Sequence, residues 1–187
     1  MTVKKETINS GVVIWQDVSE NAMGGFTLND AAFAAGVTVA KGTPIGFDES
    51  TRIAMVAKVA VAQAPATNSA TQYRVKKGHL LKVGSQIKAG SSGAQAITAI
   101  DTSNADYDQL TVGTTLGVAV AVGDAIFVDD AGYQNVKGLL YEDVEIDAKG
   151  ITDVAVVLRA TVYERRIAPL PATIKAKTPH IIYSQSF

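Results

Sequence analysis

Along residues 153–163 apolar side chains fall on every second position. Val154, Val156, Leu158, Ala160 and Val162 share one face, and Ala155, Val157, Arg159, Thr161 and Tyr163 share the other. Side chains of a strand point to opposite sides with period two, so this run predicts a core strand with one buried and one mixed face. Its valines strengthen the reading, because a branched Cβ crowds the preceding turn of a helix but packs well on a pleated sheet. Pro169 and Pro171 follow shortly and end regular pairing.

The rest of the chain reads in the same way. Residues 11–15 form a short β-branched run, either an edge strand of the sheet or an arm that pairs with something else, followed by a turn-rich stretch at 21–25 and at Asn29 and Asp30. From Gly36 a pattern recurs: a β run, a turn on Lys-Gly or Gly-Asp, and another β run, at 37–45, 73–83 and 118–128. Each predicts a hairpin whose glycine supplies the turn. Residues 52–61 alternate, with Ile53, Met55, Val59 and Val61 on one side and Lys58 on the other. Residues 63–72 and 90–93 read as loops. Short strands at 97–100 and 109–112 flank an acidic turn, and 181–183 could add a last strand. The one helix expected is short, residues 172–177, entered from Pro171 and stopped by Pro179. The fold class is therefore all-β: a small β-barrel or sandwich of short antiparallel hairpins with one short C-terminal helix.

Composition narrows the function. The 187 residues are 47% hydrophobic and only 6% aromatic, with a net charge of −1, which leaves no electrostatic footprint for nucleic acid or an acidic membrane. Cysteine is absent, so disulfides, thiolate metal sites and a cysteine nucleophile are excluded. The first ten residues have no apolar core of the signal-peptide kind, and the run 116–128 is too short to cross a bilayer. The chain reads as soluble, made and used without export by a signal of its own.

Candidate chemistry is sparse. His79 and His180 sit in no ligand spacing, and a packing or solvent-facing role is expected of both. The densest acidic stretch holds Asp101, Asn104, Asp106 and Asp108. It reads as a solvated turn, with a hard cation as the other possibility, and Asp129 and Asp130 read likewise. Asp143, Glu145 and Asp147 line one face of a strand, where carboxylates are the wet side unless they flank a cleft. Arg74, Lys76 and Lys77 lack the interleaved aromatics of a single-strand binding groove. The expectation is a protein that is not an enzyme and needs no cofactor and no metal.

The C-terminal part resembles a known family. Gly138, Leu139 and Leu140 run into the acidic Glu142 and Asp143; the strand 154–163 follows, then Leu170 and Pro171 before the short helix. With Lys41, Gly42 and Pro44 upstream, and Leu116 to Val120, this is similar to tailed-phage capsid decoration and head-fibre proteins over roughly residues 37–183. The resemblance implies a β-barrel decoration domain at 37–187 and an N-terminal arm or capsid-anchoring region at 1–36. It implies a structural virion protein on the capsid exterior, assembled in the host cytoplasm, with the major capsid protein as partner and a homotrimer as assembly. Ile8, Val12, Val13, Ile14 and Trp15 would be the capsid-binding residues, acting by strand addition. The other reading is a β-barrel binding module that recognises carbohydrate or another cell-surface ligand. An enzyme using Asp143, Glu145 and Asp147 is the third.

Overall fold

The computed structural model describes residues 12–22, 25–29, 33, 36–146 and 152–186. Their order is β1 (Trp15–Asn21), β2 (Phe26–Leu28), β3 (Thr38–Val39), β4 (Pro44–Asp48), β5 (Ile53–Val56) and β6 (Val59–Val61). Next come β7 (Gln72–Lys76), β8 (Gln86–Ala89), β9 (Gln95–Asp101), β10 (Tyr107–Val112) and β11 (Ala125–Val128). A four-residue helix α1 (Ala131–Gln134) leads to β12 (Val136–Leu140), β13 (Val144–Glu145), β14 (Thr152–Val154) and β15 (Val156–Tyr163). The chain closes with α2 (Ala172–Lys177) and β16 (Ile181–Ser184). The fold is all-β, with α2 where the prolines place it.

The strands make two large curled sheets and a two-stranded one of β3 and β13. The larger has the order β1-β15-β12-β4-β5-β2-β14, with β16 added beside β15. Because β14 and β15 are separated only by Ala155, the two ends of the run from β15 to β14 meet through the chain itself. The smaller sheet has the order β6-β11-β8-β9-β10-β7. A bridge between Ala62 and Val75, with the Gln63 amide donating to the Arg74 carbonyl at 2.9 Å, brings its two ends together. All of the smaller sheet comes from residues 59–128, inserted between β5 and β12 of the larger one.

Three apolar cores follow from strand alternation. Ile45, Phe47, Val56, Leu140 and Val156 lead the core enclosed by the larger sheet. Tyr73, Ile87, Ile97, Leu110 and Ile126 lead the core enclosed by the smaller one. Between the lobes lies a third, where Val59, Ala125 and Phe127 of the smaller sheet meet Val136, Leu139, Leu170 and Ile174. β6 and β11 therefore bury both faces: Ala60 and Ile126 point into the smaller lobe, Val59 and Phe127 into the seam. Strands covered on both sides read as continuous apolar runs, which is how 59–61 and 125–128 look in the sequence. At β12 the approach is so close that a Cβ on Gly138 would stand 2.2 Å from the Val157 carbonyl oxygen, so only glycine fits there.

The three expected hairpins turn where their glycines stand, but their arms do not pair with each other. β3 pairs with β13 and β4 with β12 and β5; β7 pairs with β10; β11 pairs with β6 and β8. Gly42, Gly78 and Gly123 do have positive φ, so the turns are real while the partners are distant. The alternating run 52–61 is also different from expectation. It crosses from one sheet to the other at Ala57 and Lys58, and in β5 the buried residues are Ala54 and Val56, with Ile53 exposed. The hairpin around the acidic turn forms as read, β9 with β10. Near the N-terminus, β1 starts at Trp15, where the expected strand ends. The arm boundary expected at residue 36 falls between β2 and β3, and β1 and β2 on its N-terminal side both pair within the larger sheet.

Candidate functional site

β1 lies at one edge of the larger sheet and is held to β15, with Trp15 opposite Val162 and Val18 opposite Ala160. The register slips three times, so β1 is a bulged edge, and Asp17 and Glu20 stand on it; both devices discourage pairing with another chain along β1 itself. Ahead of it the chain stays extended: the Ile14 carbonyl accepts from the Tyr163 amide at 2.8 Å and the Val13 carbonyl from Arg166 Nη1 at 2.8 Å.

The capsid-binding residues expected from the resemblance are divided by this geometry. Ile14 is 2% exposed and belongs to the core between the lobes. Trp15 is half-buried; its indole Nε1–H donates to the Tyr141 carbonyl at 2.8 Å, and its ring lies 6.4 Å from that of Tyr141 at an angle of 19°. Val12 and Val13 are 63% and 62% exposed. Ile8 lies outside the described residues, as does Asp147. Trp15 packs against the same core as Ile14, so the outer surface here carries Val12, Val13 and the half-open Tyr141, with only part of the Trp15 ring. Val12 and Val13 have no burial of their own to explain them.

The acidic candidates are committed locally. Asp101 accepts from the Ser103 amide at 2.9 Å and Asn104 from the Asp106 amide at 2.9 Å, the side-chain-to-backbone bonds of tight turns. The two Ser103 hydrogen bonds hold the Asp101 carboxyl below its ordinary pKa. Asp129 meets Lys88 at 2.9 Å, and Asp130 meets Lys58 at 3.0 Å while its other oxygen caps α1 at the Tyr133 amide. Asp143 accepts from the Lys41 amide at 2.8 Å; Glu145 is exposed. Among the described residues no three His, Asp or Glu side chains converge as a metal ion would need, and no helix is long and apolar enough to cross a membrane.

Asp108 is the exception: expected in the solvated turn, it lies buried in β10. It is 6% exposed, with one oxygen 2.6 Å from Lys77 Nζ and the other 3.2 Å from His79 Nε2. The signal was available in β10, where Asp108 has the parity of the buried Leu110 and Val112. His79 Nδ1 accepts from the Leu81 amide at 3.2 Å. Nδ1 is thus taken by a backbone amide, while Nε2 faces Asp108 without a formed hydrogen bond. His180 is exposed.

A cleft of about 440 Å³ opens between the lobes, lined by Ser91, Val118, Asp124, Phe127, Tyr133 and Thr173 among others. Its aromatic pair stacks on itself, with ring centroids 4.0 Å apart and exposures of 8% and 6%, so it offers no open face for a sugar ring. Asp124 is used by the Ala121 amide at 2.8 Å. No protein-family model matches the chain, and neither the curated proteins nor the solved structures contain a significant match to it.

Proposed function

We propose that this protein is a structural virion subunit, a capsid decoration or head-fibre protein that docks on the outer surface of a phage head without catalysing a reaction. The observation that carries the reading is the exposed apolar end ahead of β1: Val12 and Val13, with Trp15 and Tyr141 beside them. Isolated exposed apolar residues are ordinary, but adjoining ones at a sheet edge are where strand addition begins. In a homotrimer three such ends would engage one shell together, so that modest single contacts add up through effective concentration.

Co-sedimentation with undecorated capsids tests this. The double variant V12D/V13D changes only exposed side chains, so its circular dichroism should match the parent while its capsid affinity falls by about tenfold or more, the loss typical of interface anchors. Undiminished binding would remove Val12 and Val13 from the interface. Failure of the parent to bind any capsid, together with a strictly monomeric sedimentation profile, would sink the virion reading and leave the cell-surface binding module in its place.

A further inference from the structure

Residues 78–81, just past β7, run along the seam between the two lobes. At Gly78 (φ +88°) a Cβ would stand 3.3 Å from Ala168 Cβ, so this turn lies against the 168–170 segment of the larger lobe. Leu80 packs on the core of the larger sheet, and Leu81, 6% exposed, belongs to the core of the smaller. Consecutive side chains therefore serve opposite lobes. A gap of about 20 Å³ remains here, lined by Gly78, Leu80, Val59, Ala168, Pro169 and Leu170, enough for a single water.

His79 sits between these anchors with its side chain 5% exposed. Its Nδ1 takes the Leu81 N–H, which leaves the proton of the neutral ring on Nε2, 3.2 Å from Asp108. That N–H is not aligned on the carboxylate oxygen, so the contact is electrostatic and not a formed hydrogen bond. Asp108 is already neutralised by Lys77 at 2.6 Å, and Lys77 also donates to the Thr102 carbonyl at 3.0 Å. A second proton would put an N–H on Nδ1 facing the Leu81 N–H, two donors with no acceptor between them. It would also place a cation in a nearly closed site beside the Lys77 ammonium.

We infer that residues 78–81 form an acid-released latch between the lobes, with His79 as its catch. Neutral His79 holds the Leu81 amide and so keeps Leu80 and Leu81 in their separate cores; the imidazolium gives up that bond and frees the segment from 168–170. The charged groups acting on the ring are Asp108 from β10 and Lys77 from its own segment, and the facing Ala168, Pro169 and Leu170 carry no titratable side chain. Burial is the largest influence and lowers the His79 pKa, outweighing the pull of Asp108. The folded value being lowered, the latch is at full strength above the ordinary histidine value of about 6.5 and weakens as pH falls through the folded value. The inference stands independently of the shell-docking reading.

The test uses the full chain carrying His180→Gln, so that His79 is the only histidine and its ring protons report its charge by NMR. Amide exchange, corrected for its intrinsic pH dependence, is followed from about pH 7.5 to about pH 4.5, a span that brackets histidine titration. Protection over 78–81 and over 168–174 should fall together by about tenfold or more as the ring protonates, while the β9–β10 hairpin stays protected. In His79→Asn, which keeps an acceptor but does not titrate, that loss should vanish. Protonation of His79 with 78–81 still protected, or simultaneous loss across the whole chain, overturns the latch. So does an unchanged acid response in the asparagine variant; if that variant does not fold, the coincidence of ring titration and exchange in the parent decides.

Discussion

Tyr73 shows how much one side chain can organise at the residue scale. It is 1% exposed, its hydroxyl donates to the Ala70 carbonyl at 2.7 Å, and it accepts from the Leu116 amide at 3.2 Å. The ring fills the smaller core while the oxygen adds a tie between two loops that are otherwise joined by the single bridge from Ala66 to Val120. Tyr73→Phe keeps the ring but leaves an N–H and a carbonyl without that partner, so equilibrium denaturation should show a loss of about 1–3 kcal/mol. A loss below a few tenths of a kcal/mol would mean the two loops find substitutes. From the sequence this residue is legible as part of a strand, and its buried parity is shared with Val75. Its hydroxyl partners are not, because Leu116 is remote in sequence and nothing local marks it. The His79–Asp108 pair is hidden for the same reason: parity buries Asp108, but only the fold brings the histidine to it.

Elements were legible to the degree that they are local. The core strand expected over 153–163, which breaks at Ala155 and runs on as 156–163, the helix 172–177 and the β9–β10 hairpin are encoded by period, by bracketing prolines and by a short acidic turn, all within a few residues. The Lys-Gly and Gly-Asp turns were equally local, yet the pairing of their arms was misread, since a turn sets where the chain reverses and not which edge receives it. The face of β5 was misread because one apolar run serves two sheets and changes its exposure at Ala57 and Lys58. At the N-terminal end the element has two separable parts. Ile14→Ala removes a buried side chain at the seam and should cost about 2–5 kcal/mol of stability by chemical denaturation, whereas changes at Val13 should leave stability within experimental error. Equal destabilisation by both would show that Val13 is packed in solution.

For the whole molecule, the decisive fact is that the seam is itself a core. Val59, Ala125 and Phe127 from the smaller lobe share it with Leu139, Val162 and Ile174 from the larger, so neither lobe covers its apolar surface alone. Unfolding should therefore be one cooperative transition, with Trp15 fluorescence and far-ultraviolet circular dichroism superimposing. Phe127→Ala should shift that single transition by about 3–5 kcal/mol without splitting it. Two resolved transitions in the parent would contradict a shared core. This level of organisation was the least visible in the sequence, where the inserted segment carries no composition shift at either end.

The insertion also bears on the order in which the protein is made. Residues 59–128 leave the ribosome as one continuous block, before β12, β14, β15 and β16 exist. Every strand of the smaller sheet is then in hand, while the larger sheet still lacks the strands that join its two ends. Where the block begins and ends, the Val128 amide donates to the Lys58 carbonyl at 3.0 Å, so a folded insert delivers the nascent chain back to the spot it left. The long excursion thus becomes, in effect, a short loop for the strands still to come, and the entropy of bringing β4 and β12 together shrinks accordingly.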